Sequence, residues 1–207
     1  MAPIADGWNH NTHYHDLLLQ SIPRPCRRAL DVGCGLGTFA RRLSALTDHV
    51  DAIDADAGVI RQARDLSKHA RNVRFVEGNF MTWTTDATYD VISMIAVLHH
   101  LPFDDALSSA ARLLRPGGVL LVLGLHRAAS PLHFVVRGAL AYPVSLYHRM
   151  VRDTSAVGAP IQDPTMTLGE IRRGADTLLP AALIRRRVLW RYSLVWTKSC
   201  WLPITRH

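Results

Sequence analysis

The sequence lacks the marks of a secreted protein and of a zinc protein. It has only three cysteines, Cys26, Cys34 and Cys200, and no two of them form a C-x-x-C pair. An odd number of widely spaced cysteines argues against a disulfide framework and against a cysteine-based zinc site. The N-terminus has no basic start followed by an apolar core, unlike a signal peptide. We therefore expect a reducing compartment and a cytoplasmic location.

An uninterrupted apolar run of membrane-spanning length is also missing. The most apolar long stretch, 131–150, is broken by prolines, histidines and arginines. A spanning helix needs about 20 predominantly apolar residues in a row. We interpret 131–150 as part of a cap, so no membrane span is expected. Peripheral contact with a membrane and formation of a homodimer stay open.

Acidic residues are scarce in the second half of the chain. The formal net charge is +7, and the whole basic excess lies in 106–207. Such asymmetry is typical of proteins that meet an anionic partner, and also of a solvated arginine-rich surface. The run 185–187 holds three arginines, but alternate side chains of a strand face opposite ways. Nucleic acid is therefore not an expected partner.

Short apolar runs and helical patterns alternate regularly from residue 27 onward. This alternation predicts parallel strands, right-handed crossovers and a doubly wound, mostly parallel α/β sheet. Ligands of such sheets bind at the carboxyl ends of the strands. Strands are predicted at 28–33, 49–54, 73–78, 89–95 and 118–125, and helices at 38–47, 57–70 and 103–115, the last ended by Pro116 and Gly117.

After the fifth strand the alternation lapses over 126–166. Because a structureless loop of that length is unusual in a compact domain, we interpret it as an inserted helical cap. A helix at 167–180 precedes two strands, 182–190 and 192–199, which predict an antiparallel hairpin with a tight turn near Arg191. The sheet would then have seven strands. One domain is predicted, made of a lid segment (1–26), a cofactor-binding core (27–125), the cap (126–166), and a terminal helix and hairpin (167–207).

The stretch ALDVGCGLGTFA, residues 29–40, joins the first strand to the first helix with glycine at alternate positions. Dinucleotide-binding folds need G-x-G-x-x-G, and Thr38 stands where the third glycine would fall, which weakens an NAD interpretation. Glycines let backbone amides approach a ligand closely. Asp54 ends the second strand, where a carboxylate can accept hydrogen bonds from both hydroxyls of a ribose. The two features predict a nucleoside ligand.

With these motifs the sequence resembles the class I S-adenosylmethionine-dependent methyltransferases, over 27–125 and the terminal hairpin. The resemblance implies a Rossmann-like methyltransferase fold and S-adenosylmethionine as cofactor, released as S-adenosylhomocysteine. It is carried by LDVGCGLG (30–37), DAIDAD (51–56), FVEGNF (75–80), YDVISMIAVLHHLP (89–102) and LLRPGGVLLVLG (113–124).

The resemblance also implies which residues hold the methionine part of the cofactor. Asp31 and the turn formed by Gly33, Cys34, Gly35 and Gly37 would contact it. The ammonium group of the methionine suits a carboxylate, whereas a pyrophosphate would be repelled.

At the other end of the cofactor, Asp54 would bind the ribose and Ala55 would lie beside the adenine. Asn79 and Phe80 stand where the family usually has an aspartate and its neighbour, which contact the amine and the ring of the adenine. The amide oxygen of Asn79 can still accept a hydrogen bond from the adenine amine. Ile95, past the fourth strand, would line the methyl-donor end.

Four histidines, His13, His15, His100 and His126, are expected at the carboxyl edge of the sheet, and three of them are candidates for catalysis. Methyl transfer from a sulfonium depends mainly on alignment, and a general base helps only when the accepting atom must lose a proton. His100 is the first choice, His13 of the lid segment the second, and His126 would line the acceptor. No metal is expected, because the spacing of His10, His13 and His15 fits neither a helix face nor a zinc finger.

We predict a metal-independent enzyme that transfers a methyl group from S-adenosylmethionine to an oxygen or nitrogen of a small acceptor. The apolar residues and arginines of the cap favour a lipophilic, partly anionic acceptor. Two alternatives stay open. One is a non-catalytic S-adenosylmethionine-binding or nucleic-acid-associated regulatory module, and the other is an NAD-dependent oxidoreductase.

Overall fold

The computed structural model describes residues 12–127, 163–188 and 190–200, and a seven-stranded sheet forms its centre. The strand order is β3-β2-β1-β4-β5-β7-β6. The first five strands in this order are parallel, and β7 and β6 close the sheet as an antiparallel hairpin. The fold predicted from the sequence is confirmed. The strands are β1 (Arg28–Val32), β2 (His49–Asp54), β3 (Val73–Glu77), β4 (Tyr89–Ile95), β5 (Leu114–Leu125), β6 (Leu183–Arg186) and β7 (Arg191–Thr197).

Side chains at the helix starts explain where two of the helices begin. The carboxylate of Asp56 accepts hydrogen bonds from the first backbone N–H groups of α3, and Thr167 with Glu170 forms a capping box at the start of α5. The α-helices are α1 (His15–Leu19), α2 (Thr38–Ser44), α3 (Ala57–Leu66), α4 (Phe103–Leu113) and α5 (Leu168–Leu178), with 3₁₀ turns at Thr12–Tyr14 and Leu98–His100. No helix within the described ranges is long and apolar enough to cross a membrane.

The core consists of two apolar clusters, one on each face of the sheet. Leu30 and Ile92 belong to one cluster, whereas their neighbours Ala29 and Val91 belong to the other. Alternate side chains of a strand point to opposite faces, so the central strands are buried on both sides. This double burial fixes the register of the sheet and thereby the positions at which the strands end.

A buried carboxylate ties strands together on the amino side of the sheet. Asp51 is 3% exposed and accepts hydrogen bonds from the guanidinium groups of Arg28 and Arg74 and from the Tyr89 hydroxyl. Burial alone would raise the pKa of Asp51, but these hydrogen bonds outweigh it and hold the pKa below its usual value. The opposite, carboxyl side of the sheet is left for a ligand.

Several predicted boundaries are wrong: α2 ends at Ser44, α3 at Leu66 and β6 at Arg186, each earlier than predicted. Helix α4 ends at Leu113, and β5 starts at the next residue. Pro116 and Gly117 therefore lie inside β5 rather than between helix and strand. The pairing of β5 with β4 is irregular there, since the register shifts between Tyr89 and Val91. The hairpin turn lies directly before Arg191, the first residue of β7, as predicted. Most of the predicted cap, 128–162, and the first part of the lid segment, 1–11, lie outside the described residues.

Candidate functional site

A cleft of about 900 Å³ opens at the carboxyl ends of β1, β2 and β4. Its walls come from the glycine turn after β1, the end of β2, the turn after β3 and the segment after β4. This is the edge at which doubly wound sheets bind their ligands. Its volume lies in the usual range of ligand pockets, which is about 300 to 1,000 Å³.

The three glycines of the turn serve different purposes, although all have a positive φ. A Cβ on Gly33 would lie 2.4 Å from Val97, and one on Gly37 would lie 2.7 Å from the Phe75 ring. A Cβ on Gly35 would meet no atom within 4 Å among the described residues. Gly33 and Gly37 are therefore required by their neighbours, whereas Gly35 leaves open space in the cleft.

Gly35→Ala is therefore expected to affect a ligand more than the fold. The added methyl group would occupy the cleft at a φ of +53°. We expect binding of S-adenosylhomocysteine to weaken at least tenfold, with a loss of stability of about 1–2 kcal/mol from the left-handed backbone. Calorimetric titration and thermal unfolding measure the two effects. Gly169→Ala is the control, because its Cβ would meet nothing closer than 3.9 Å; unchanged affinity in Gly35→Ala would contradict the prediction.

Asp54, the last residue of β2, holds the glycine turn in place. Its carboxylate accepts hydrogen bonds from the backbone N–H of Gly35 at 2.9 Å and from that of Asp56 at 3.0 Å. A carboxylate offers about four lone-pair sites, so two remain for a ligand that lies in the cleft. Asp54 can therefore shape the turn and accept hydrogen bonds from a diol at the same time.

Asp31 is the most deeply buried acid of the cleft, 1% exposed. Its Oδ1 accepts a 2.6 Å hydrogen bond from the Ser93 hydroxyl; no described donor meets hydrogen-bond geometry at Oδ2, although the backbone N–H of Ala40 is near enough to lower the pKa of the carboxyl. Burial raises the pKa of Asp31 to about 7, opposed by the Ser93 hydrogen bond and assisted by the charge of Asp54. A buried carboxylate of this kind is completed by a cation, such as a ligand ammonium group.

Ala55, Asn79 and Phe80 line the cleft at the ends of β2 and β3. Asn79 is exposed, and its side-chain oxygen accepts a hydrogen bond from the backbone N–H of Met81 at 2.9 Å. Phe80 is buried behind it, and Ala55 is exposed on the opposite wall. Beyond Ile95, Ala96 has a φ of +56°, which is strained for a residue with a side chain. Ala96 and its neighbours Ile95 and Val97 line the cleft at this bend.

The structure brings nearly all predicted cofactor residues into this one cleft. Gly37 is the exception, since it is buried at the start of α2 and does not line the cleft. Burial and the neighbouring Asp31 and Asp54 strongly raise the pKa of the Cys34 thiol, which makes it unreactive. The predicted residues that line the cleft are Asp31, Gly33, Cys34, Gly35, Asp54, Ala55, Asn79, Phe80 and Ile95.

The three predicted catalytic histidines are not brought together. His100 lines the cleft from its exposed side. His13 is exposed and packs its ring edge-on against Tyr14, outside the lining. His126 is buried with its Nδ1 3.0 Å from the carbonyl oxygen of Arg127, also outside the lining.

Sequence reasoning placed His15 at this edge of the sheet but did not select it as a site residue. It is 2% exposed, packs edge-on against Phe39 at 4.7 Å, and lines the cleft together with Thr12. Its spacing of three residues from the apolar Leu18 could have indicated that the two share a buried helix face. Within the described residues no group of three metal-ligating side chains is close enough to hold an ion. His10, the third histidine of the segment, lies outside them.

Comparisons with known proteins agree with this geometry. The sequence family described as "Methyltransferase domain" matches residues 29–118. An uncharacterized methyltransferase of Mycobacterium tuberculosis is 34% identical over 196 residues, which are 91% of this chain and 96% of the relative. The structure of the N-methyltransferase NodS from Bradyrhizobium japonicum, in complex with S-adenosyl-L-homocysteine, has a TM-score of 0.63 at 15% identity. That match covers 94% of this chain and 90% of NodS and shows the shared fold.

Two further relatives have names that describe a substrate. A ubiquinone biosynthesis O-methyltransferase of Xylella fastidiosa is 32% identical over 128 residues, 60% of this chain and 52% of the relative. A 24-methylenesterol C-methyltransferase of Oryza sativa is 29% identical over 221 residues, 94% of this chain and 58% of the relative.

Proposed function

Because the chain belongs to the class I S-adenosylmethionine-dependent methyltransferases, we propose that it methylates an oxygen or nitrogen of a small lipophilic acceptor without a metal ion. The observation that carries the proposal is the pair of carboxylates in one cleft. Asp31 offers a buried oxygen suited to a cation, and Asp54 offers acceptor sites suited to a diol. An amino-acid-bearing nucleoside has both groups.

The cleft residues fit S-adenosylmethionine in size and chemistry. We infer that Asp31 holds the methionine ammonium group, that Asp54 accepts hydrogen bonds from the ribose hydroxyls, and that Gly35 leaves room for the ligand. Asn79 would accept a hydrogen bond from the adenine amine with the lone pair that Met81 does not use. Phe80 and Ile95 would supply apolar contacts.

The bound cofactor supplies a methyl group that a sulfonium already activates. The chain then has to align the acceptor with that group and to exclude water, and alignment alone can contribute about 7–11 kcal/mol. The segment after β4 faces the space where the acceptor would lie, because Ile95, Ala96 and Val97 line the cleft at that end. The residues just past β4 include no carboxylate that could hold a metal there, which favours metal-independent transfer.

His100 is the proposed proton acceptor, and His100→Ala tests this role. The variant should lower turnover by about a hundredfold if the accepting atom must lose a proton of high pKa, because general-base catalysis contributes about that much. Affinity for S-adenosylhomocysteine should stay within about twofold, since the imidazole lies on the exposed side of the cleft. His69→Ala, an exposed histidine outside the cleft, is the control. Full activity of His100→Ala across the pH range would remove His100 from the mechanism.

The names of the relatives bear on the acceptor. The ubiquinone biosynthesis O-methyltransferase supports oxygen as the accepting atom and a lipophilic ring as its carrier. The sterol C-methyltransferase favours a second candidate, transfer to carbon of a lipophilic substrate. Both names support a lipophilic acceptor and differ in the accepting atom.

An acceptor screen tests the proposed function. Purified protein with S-adenosylmethionine and a panel of lipophilic phenols, amines and isoprenoid compounds should release S-adenosylhomocysteine with at least one of them, with or without a chelator. Mass spectrometry of the product then distinguishes methylation of oxygen, nitrogen and carbon. Binding of S-adenosylhomocysteine without turnover on any acceptor would favour the non-catalytic module.

A further inference from the structure

A second, smaller cavity adjoins the cofactor cleft over the carboxyl ends of β4 and β5. It offers about 30 Å³ of accessible space, within roughly 310 Å³ of unoccupied volume that includes open solvent. Leu101 lines both the cavity and the cleft. Its apolar lining among the described residues includes Leu98, Phe103, Leu125, Met166 and Ile171.

His99 is the residue that brings an imidazole to this apolar cavity. It is the middle residue of the 3₁₀ turn Leu98–His100, in which successive side chains diverge by about 120°. His100 therefore lines the cofactor cleft, whereas His99 lines the second cavity. The two rings remain neighbours, with centroids 4.0 Å apart.

The surroundings of His99 favour its neutral form. Its Nδ1 is buried, and no described residue forms a hydrogen bond with it. Protonation would put N–H groups on both ring nitrogens, and the buried one would have no acceptor. Burial and the adjacent His100 lower the pKa of His99 to about 4. At neutral pH the ring is uncharged, and Nε2 is the nitrogen left for a ligand.

We propose that His99 recognises an uncharged oxygen of the methyl acceptor, a hydroxyl or carbonyl on an apolar body whose edge enters this cavity. The inference rests on the proposed function, since it places the acceptor beside the cofactor cleft. Besides His99, the cavity is lined by the hydroxyl-bearing residues Thr165 and Tyr192 but by no charged side chain of the described residues, so an uncharged oxygen suits it better than a charged group. About 30 Å³ is room for one oxygen-bearing group, so the rest of the acceptor would lie outside this cavity, towards the cofactor cleft. His99 would recognise one end of the acceptor in the second cavity, whereas the atom that receives the methyl group would lie in the cofactor cleft, which His100 lines.

The test compares phenol with toluene, two probes of nearly equal size that differ in one hydroxyl. Binding to the full chain saturated with S-adenosylhomocysteine is measured by ligand-observed NMR. Wild-type protein should bind phenol about five- to tenfold more tightly than toluene, the effect of one hydrogen bond in an apolar site. His99→Leu, which keeps the volume, should lose that preference. His99→Gln, which keeps an N–H donor, should retain part of it.

The outcomes separate recognition by His99 from a structural role. Equal preference for phenol in wild type and His99→Leu, or no preference in wild type, overturns the inference. A structural role would weaken phenol and toluene alike. If His99→Leu does not fold, NMR spectra of wild-type protein labelled with ¹⁵N-histidine replace it, with the His99 signals assigned by comparison with His99→Gln. Phenol should shift these signals and toluene should not. Signals that phenol leaves unshifted overturn the inference. Calorimetry with S-adenosylhomocysteine comes first, and no binding there overturns the proposed function and the inference with it.

Discussion

Asp54→Ala should weaken the binding of S-adenosylhomocysteine by at least tenfold, and by up to about a hundredfold, as measured by calorimetric titration. Two losses combine in this variant. The ribose hydroxyls lose their acceptor, and the backbone N–H of Gly35 loses the carboxylate that holds the turn at 2.9 Å. A buried donor without its acceptor costs about 1–3 kcal/mol. Both losses act on the same ligand, so their effects should reinforce each other.

Two variants separate these losses. Asp54→Asn keeps one side-chain oxygen for the turn but removes the charge, so its affinity should lie between those of wild type and Asp54→Ala. Glu77→Ala is the matched control, because Glu77 pairs with Asp54 in the sheet register at the same edge yet does not line the cleft. Unchanged affinity in Asp54→Ala would remove Asp54 from the ligand site.

Affinity for S-adenosylhomocysteine should rise with pH as Asp31 loses its proton. Burial raises the pKa of Asp31 to about 7, and only the ionised carboxylate attracts the ligand ammonium group. Proton linkage then predicts a roughly tenfold gain in affinity between about pH 6 and pH 7.5. Calorimetry in buffers of different ionisation enthalpy should also detect release of a proton on binding at the lower pH.

The same raised pKa predicts the opposite trend for the protein without ligand. Between the usual pKa of 3.8 and about 7 the folded chain keeps a proton on Asp31 that the unfolded chain has lost, so this residue contributes less stability as the pH rises. S-adenosylhomocysteine should therefore raise the melting temperature more at pH 7.5 than at pH 6.

Asp31→Asn isolates the contribution of this carboxylate. The variant should bind weakly at both pH values and show a much flatter pH profile. A wild-type profile that Asp31→Asn reproduces would assign the pH dependence to another group.

The fold could be predicted from sequence because local signals and burial agree there. Apolar runs such as GVLLVLGL in β5 are buried on both faces, and the glycine turn sits between a strand and a helix as its spacing requires. The end of β2 places Asp54 beside Gly35 through register alone. The sequence was sufficient to predict the position of a residue wherever hydrophobic periodicity and strand register determine that position.

Which histidine side chains line the cleft could not be predicted from the sequence in the same way. His99 and His100 are adjacent in sequence, and only the 3₁₀ turn sends one to the cleft and the other to the second cavity. His15 is the first residue of α1 and packs against Phe39, whereas His13 lies in the preceding 3₁₀ turn and is exposed. Gly37 fits the motif, yet packing against Phe75 accounts for it. Side-chain direction in short turns depends on tertiary contacts that a single sequence does not reveal.

The pairing of Arg127 with the residues before α5 has an evolutionary consequence. The backbone N–H of Arg127 donates to the carbonyl of Met166 at 2.7 Å, its side chain reaches the carbonyl of Thr165, and Arg127 bridges to Thr167. These contacts hold together the point where the chain leaves the end of β5 and the point where it returns at the start of α5. The entropy cost of closing a loop grows only slowly with the number of residues in it. A change in the number of residues between these two points would therefore cost little loop-closure entropy, so the length of this part of the chain can vary in evolution while the sheet edge stays the same.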